Sequence, residues 1–160
     1  MRIRELFASE TTLVAQFYRE APDYWLLAEG RLDADDQASD FFTDAPPNCD
    51  PAESDRLGLF IDHRLSGVAE VSYGFPESND AYLGLMLLGP WAQGHGHGRS
   101  FLAHAAASAR KRHASRLYLA VLDINPRGRA FWLREGFTPT GLRAQDKTTG
   151  HWLERLVKPL

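Results

Sequence analysis

The apolar residues of this chain follow two periods, one on each side of a loop at 45–51 that holds Pro46, Pro47 and Pro51. Before the loop they recur three and four residues apart. Leu13, Val14, Phe17 and Tyr18 form one face of a helix, with Ser9 placed to cap it. Pro22 interrupts this helix, and Asp23–Leu27 follows as a bend or a second short helix. Asp33–Phe42 is a third helical segment with acids on its outer side, and a short strand over Ile3–Phe7 precedes all three. After the loop the pattern is that of extended chain. Leu57–Ile61 and Gly67–Tyr73 read as strands joined at His63–Leu65, and the apolar run Ala81–Leu88 as a strand covered on both faces. A helix over His97–His113 and a buried strand over Leu117–Leu122 come next. Asn125 then caps a shorter helix, with Pro126 at its first position and Gly136 just past its end. Strands at Phe137–Arg143 and His151–Val157 flank a turn at Asp146–Gly150.

This order predicts a mixed α/β fold in a single domain over residues 1–160. Antiparallel strands come first, then one strand–helix–strand unit that is parallel and right-handed, with helices flanking the sheet. The length of 160 residues suits one buried core and not two. With 44% hydrophobic and 24% charged residues, the composition excludes collagen-like, disordered and disulfide-scaffold classes. The net charge of −3 conceals an asymmetry. Residues 1–80 carry 17 acids and 6 bases (−11), and residues 81–160 carry 4 acids and 12 bases (+8). An acidic half joined to a basic half points to two faces that meet ligands of opposite charge. The single cysteine, Cys49, excludes an internal disulfide and a multi-cysteine metal site, and a lone thiol fits a reducing cytoplasm. The first residues lack the apolar run of a secretory signal, and no window approaches the ~18 apolar residues of a membrane span. The expectation is a cytoplasmic protein with neither membrane nor nucleic-acid partners.

The sharpest local signal is Gln93-Gly94-His95-Gly96-His97-Gly98-Arg99-Ser100, between an apolar strand and a helix. Glycines let the main chain approach a ligand closely, and the helix start aims unpaired N–H groups at the loop, a setting suited to pyrophosphate. A nucleoside triphosphate loop would need a lysine before the serine, where Arg99 stands. A dinucleotide loop is disfavoured by the Gly-x-Gly-x-Gly spacing, although Asp123 ends the next strand at a suitable distance. His95 and His97 lack a third ligand nearby, so no metal is expected.

Gln93-x-x-Gly96-x-Gly98 matches the Gln/Arg-x-x-Gly-x-Gly/Ala signature of the GNAT acetyltransferases. Met86-Leu87-Leu88-Gly89-Pro90 resembles that family's fourth strand and the proline ending it, and Asn125 through Gly136-Phe137 resembles its second motif. The resemblance implies acetyl-CoA as co-substrate and an amine acceptor, with fourth and fifth strands that splay to admit pantetheine. It also implies cofactor contacts along Met86, Leu87, Leu88, the loop Gln93–Ser100, Asn125, Phe131 and Trp132. A main-chain N–H between Met86 and Leu88 would polarise the thioester. Where many members carry a tyrosine after the aromatic of the second motif, this chain has Trp132, whose indole cannot serve as a proton source. No acid lies in Tyr82–Leu88, so the base is sought elsewhere, in the order Glu70, Asp23, Asp123. Glu70 leads because a carboxylate amid Val68-Ala69-Glu70-Val71 is unexpected unless paired or functional. Asp23, Tyr24 and Tyr73 are the candidate acceptor contacts, and the acids of the first half favour a cationic acceptor. The family habit of forming homodimers is carried over as an expectation. The reading from another class is a non-catalytic acyl-CoA-binding module.

Overall fold

The computed structural model describes all of residues 1–160. Strand β1 (Arg2–Glu5) leads into three helices, α1 (Thr11–Glu20), α2 (Asp23–Glu29) and α3 (Ala34–Thr43). Strands β2 (Asp55–Ile61), β3 (Arg64–Tyr73) and β4 (Asp80–Leu88) follow. Helix α4 (His97–Lys111), strand β5 (Arg116–Leu122), helix α5 (Pro126–Arg134) and strands β6 (Thr138–Gln145) and β7 (Trp152–Pro159) complete the chain. The fold is α/β, with seven strands in one mixed sheet of order β1-β2-β3-β4-β5-β7-β6. Only β4 and β5 pair in parallel.

The alternation of β3 sorts its side chains between two layers. Ala69 and Val71 face α4, where Phe101, Leu102, Ala105 and Ala109 complete a core with Leu117, Leu119 and Leu156. Val68 faces the other way, against Phe17 and Tyr18 of α1 and Ala38 and Phe41 of α3. Each fully buried large apolar side chain contributes roughly 1.5–3 kcal/mol, so the two layers fix the sheet between them. Glu70 shares the face of Val68 and therefore enters the α1–α3 layer.

Two local expectations are corrected, and of two alternatives at Asp23 one is realised. Ser9 does not cap α1; it lies in a single 3-10 turn, Ala8–Glu10, where Glu10 accepts a bond from Phe7 N (2.9 Å) and pairs with Arg4. The segment starting at Asp23 is a true helix, ended by Gly30 in the left-handed conformation (φ 73°). Ala81–Leu88 is covered on both faces only at its start. Asp80, Ala81 and Leu83 are buried, but Gly84 is exposed and Leu85–Leu88 are half-buried. An opening lies on each side of this half of the strand.

Candidate active site

The first opening is a splay in the sheet. β4 and β5 pair at only three positions, Asp80 with Arg116, Ala81 with Leu117 and Tyr82 with Tyr118. The buried Asp80 carboxylate holds that end closed through Arg116 (3.2 Å). Beyond it, β5 stays in register with β7 along its whole length, while β4 stays with β3. The two half-sheets part, and alternate main-chain N–H groups of β4 past Tyr82 lose their partner on that side. The resulting cleft has a volume of about 700 Å³.

The glycine loop closes the wide end of the cleft. Gln93 donates from Nε2 to the Leu88 carbonyl (3.1 Å), tying the loop to the end of β4. Gly94 (φ 79°) and Gly96 (φ 81°) are left-handed, and a Cβ on either would meet nothing within 4 Å. Gly96 caps α4 without a side chain, so the N–H groups of His97, Gly98 and Arg99 have no partner. Gly98 serves packing instead: a Cβ there would sit 3.3 Å from the Phe131 ring. Arg99, Arg127 and Arg134 line the same end. Uncapped N–H groups, an open glycine turn and three guanidinium groups make a cradle for a phosphorylated ligand. The unpaired edge of β4 suits an extended amide-bearing chain. Both features fit CoA.

Most predicted cofactor contacts line this cleft: Met86, Leu87, Leu88, Gln93, Gly94, Gly96, Gly98, Arg99, Asn125, Phe131 and Trp132. His95, His97 and Ser100 do not. Asn125 caps α5 by accepting from Gly128 N (3.0 Å), and Trp132 packs edge-on against Phe131 and Phe137. No group of three or more potential metal ligands occurs.

The second opening is a chamber of about 230 Å³ on the opposite side of β4. Tyr24, Gly84 and Leu85 line both cavities, so the partition between them is one strand thick. Glu70, 7% exposed, lies at its floor. The Glu70 carboxylate accepts a bond from the Ser72 hydroxyl. Burial pushes its pKa above the ordinary carboxylate range, and Ser72 and Arg56 offset only part of that shift. Gly84 is where the carboxylate meets the partition. The β3–β4 register slips there, with Glu70 opposite Leu85 and Val71 opposite Leu83, leaving Gly84 as the extra residue of a bulge. A Cβ built on Gly84 would overlap Glu70 Oε2. The isolated glycine in Leu83-Gly84-Leu85 is the sequence signal that marks this point.

Gly84→Ala tests the arrangement. The methyl meets the free end of a flexible side chain, so the fold accommodates it, but the carboxylate must swing away. With Glu70 as the expected base, turnover should fall about 100-fold or more, with little change in melting temperature, because misplacing a reacting group by about 1 Å has that effect.

The remaining predicted residues are placed apart from Glu70. Asp23 is exposed at the start of α2 and lines the cleft. Asp123, at the end of β5, is paired with Arg143 and lines neither cavity. Tyr73 donates to the Asp55 carboxylate beneath Arg112 and also lines neither. Sequence reasoning missed Tyr18, Trp25, Glu29, Asp40 and Asp44, which line the chamber from the three N-terminal helices and the residue after α3.

The model of the acetyltransferase (GNAT) family matches residues 11–137. No curated protein matches the chain. Among solved structures, an acetyltransferase from Thermus thermophilus is 26% identical with a TM-score of 0.77, over 99% of this chain and 96% of that one. Two others, below 25% identity, are likenesses of fold. The ribosomal-protein-S18-alanine N-acetyltransferase of Escherichia coli is 16% identical with a TM-score of 0.71, over 99% and 92% of the two chains. The PaiA N-acetyltransferase of Thermoplasma acidophilum, in complex with coenzyme A, is 18% identical with a TM-score of 0.70, over 99% and 98%. The motif spacing, the splayed sheet and the family match agree: the chain belongs to the GNAT acetyltransferase family and is an acyltransferase.

Proposed function

We propose that the protein is an N-acetyltransferase that moves the acetyl group of acetyl-CoA to a primary, cationic amine by direct attack in a ternary complex. It acts in the reducing cytoplasm that a lone free thiol at Cys49 suits. The observation that carries this reading is the buried Glu70 carboxylate at Gly84, on the partition shared by the cleft and the acidic chamber.

Acetyl-CoA supplies the acyl group as an activated thioester. An alkyl amine reaches the chamber as an ammonium ion, with a reference pKa of about 10.4, and must lose a proton before it can attack. Glu70 takes that proton, and its raised pKa brings it closer to the operating pH, as an effective base requires. The nitrogen then forms its bond to the acyl carbon while the carbon–sulfur bond breaks; CoA leaves as a thiolate, which takes the second proton released from the nitrogen as the neutral amide forms. Unpaired N–H groups of β4 donate to the acyl oxygen as negative charge gathers on it. Trp132 lends a wall and not a proton, so the thiolate departs on its own acidity.

Pure protein, acetyl-CoA and a panel of amines, followed by release of free thiol, test the reading. Amine-dependent release above background hydrolysis is expected. CoA binding without any amine-dependent release would reduce the protein to an acyl-CoA-binding module.

A further inference from the structure

The chamber carries more carboxylate than one proton transfer requires. Besides Glu70, it is lined by Glu29, Asp40 and Asp44, all three exposed at its outer part. None of these four carboxylates has a cation within ion-pair distance, although nine salt bridges occur elsewhere in the protein. The nearest guanidinium, Arg56, gives its donors to the main-chain carbonyls of Phe41, Asp44 and Pro51. Between rim and floor run the aromatic rings of Tyr24, Trp25 and Phe41.

A second observation points to a polar occupant. Tyr18 lines the chamber and is fully buried, yet its hydroxyl has no hydrogen-bond partner. The indole Nε1 of Trp25 is unpartnered as well, but as a donor only it can pair with the neutral amine and not with an ammonium. Buried polar atoms are seldom left unpaired, and the Tyr18 oxygen is the one here that can accept from an ammonium N–H. Size narrows the occupant further. A space of about 230 Å³ holds about eight water-sized groups.

Resting on the acetyl-transfer reading, we propose that the acceptor is a short α,ω-alkyl diamine whose two nitrogens occupy opposite ends of this chamber. The nitrogen to be acetylated lies at the floor, beside Glu70 and the Gly84 gap. The distal ammonium lies at the rim among Glu29, Asp40 and Asp44. The alkyl chain packs along the aromatic walls, whose faces also favour a passing cation. The acidic rim draws dications toward the mouth, and its neutralisation by the ligand replaces a cation that the fold does not supply.

The test compares three amines of similar size on the protein saturated with CoA: α,ω-diaminobutane, n-pentylamine, which replaces the distal ammonium by a methyl, and δ-aminopentanoate, which replaces it by an anion. Binding is measured by calorimetry and acetylation by thiol release with acetyl-CoA. The diamine is expected to exceed n-pentylamine by about tenfold in affinity and in kcat/KM, with the amino acid weakest. In the Glu29→Gln/Asp40→Asn variant that ratio should fall to near one, with the melting temperature showing that the fold is kept. Equal values for diamine and monoamine would overturn the proposal, as would a preference that survives in the variant, or a lysine peptide acetylated better than the diamine. If no amine is acetylated but the diamine still binds with the preference, the chamber assignment stands and the acetyl-transfer reading falls.

Discussion

Glu70→Gln is expected to lower kcat by two to four orders of magnitude, the range over which a positioned general base acts. The loss should be greatest at pH values above the raised pKa of Glu70 and below the amine's own pKa of about 10.4. It shrinks in acid, where Glu70 is itself protonated, and in alkali, where free base becomes abundant without help. The wild-type rate should fall with acidification as Glu70 is protonated, with the limb above the ordinary carboxylate range because burial raises this group. The same shift has a consequence for stability. Since the folded-state pKa is raised, ionised Glu70 costs stability above that pKa, and the cost disappears below the ordinary carboxylate range. Glu70→Gln should therefore raise the melting temperature at neutral pH and leave it unchanged in acid. An enzyme that loses activity and gains stability is trading one for the other at a functional residue. Unaltered pH profiles of rate in the variant would remove Glu70 as the base.

Gly96→Glu is expected to weaken CoA binding by about 100-fold or more. Two effects act together. The left-handed backbone at φ 81° costs a side-chain-bearing residue roughly 1–2 kcal/mol, and a carboxylate enters the open turn where the loop's N–H groups converge. Gly96→Ala separates the two, since it carries the backbone cost and no charge, and it should show the smaller loss. Salt should recover part of the glutamate defect and none of the alanine defect. The fold should persist, because a Cβ at this position meets no neighbour. Calorimetric titration with CoA decides it, and an affinity within threefold of wild type in the glutamate variant would sink the phosphate cradle.

Much of the fold is legible along the chain because its signals are local. Asn125-Pro126 opens α5, and Gly136, left-handed at φ 96°, lies just past its end, as the residue types alone require. The loop from Gln93 to Ser100 is recognisable for the same reason: its left-handed turns at Gly94 and Gly96 are backbone shapes that glycine spacing encodes. The asymmetry of charge finds a spatial meaning. Arg99, Arg127 and Arg134 line the cleft, and Glu29, Asp40, Asp44 and Glu70 line the chamber. Other cations of the basic half serve elsewhere, Arg129 with Glu154 and Arg112 with Glu53. Ser9 misleads because a capping residue type says nothing about a competing carboxylate; Glu10 bonds the Phe7 N–H and pairs with Arg4.

By itself, the sequence determined the order of elements, the glycine cradle and the oddity of an acid within an apolar strand. Each is set by the period or conformational preference of neighbouring residues. Where each candidate acid lies relative to the two openings was decided only by tertiary structure. The residue pattern ranked Glu70 ahead of Asp23 and Asp123, and the fold sets the three apart. A one-residue bulge at Gly84 brings the Glu70 carboxylate to the partition, while an arginine 20 residues away pairs with Asp123. The chamber is likewise a product of packing, since α1, α2 and α3 contribute walls from residues far apart in the chain. Local preference fixes which backbone shapes a segment adopts, but the meeting of distant side chains depends on how layers stack on the sheet.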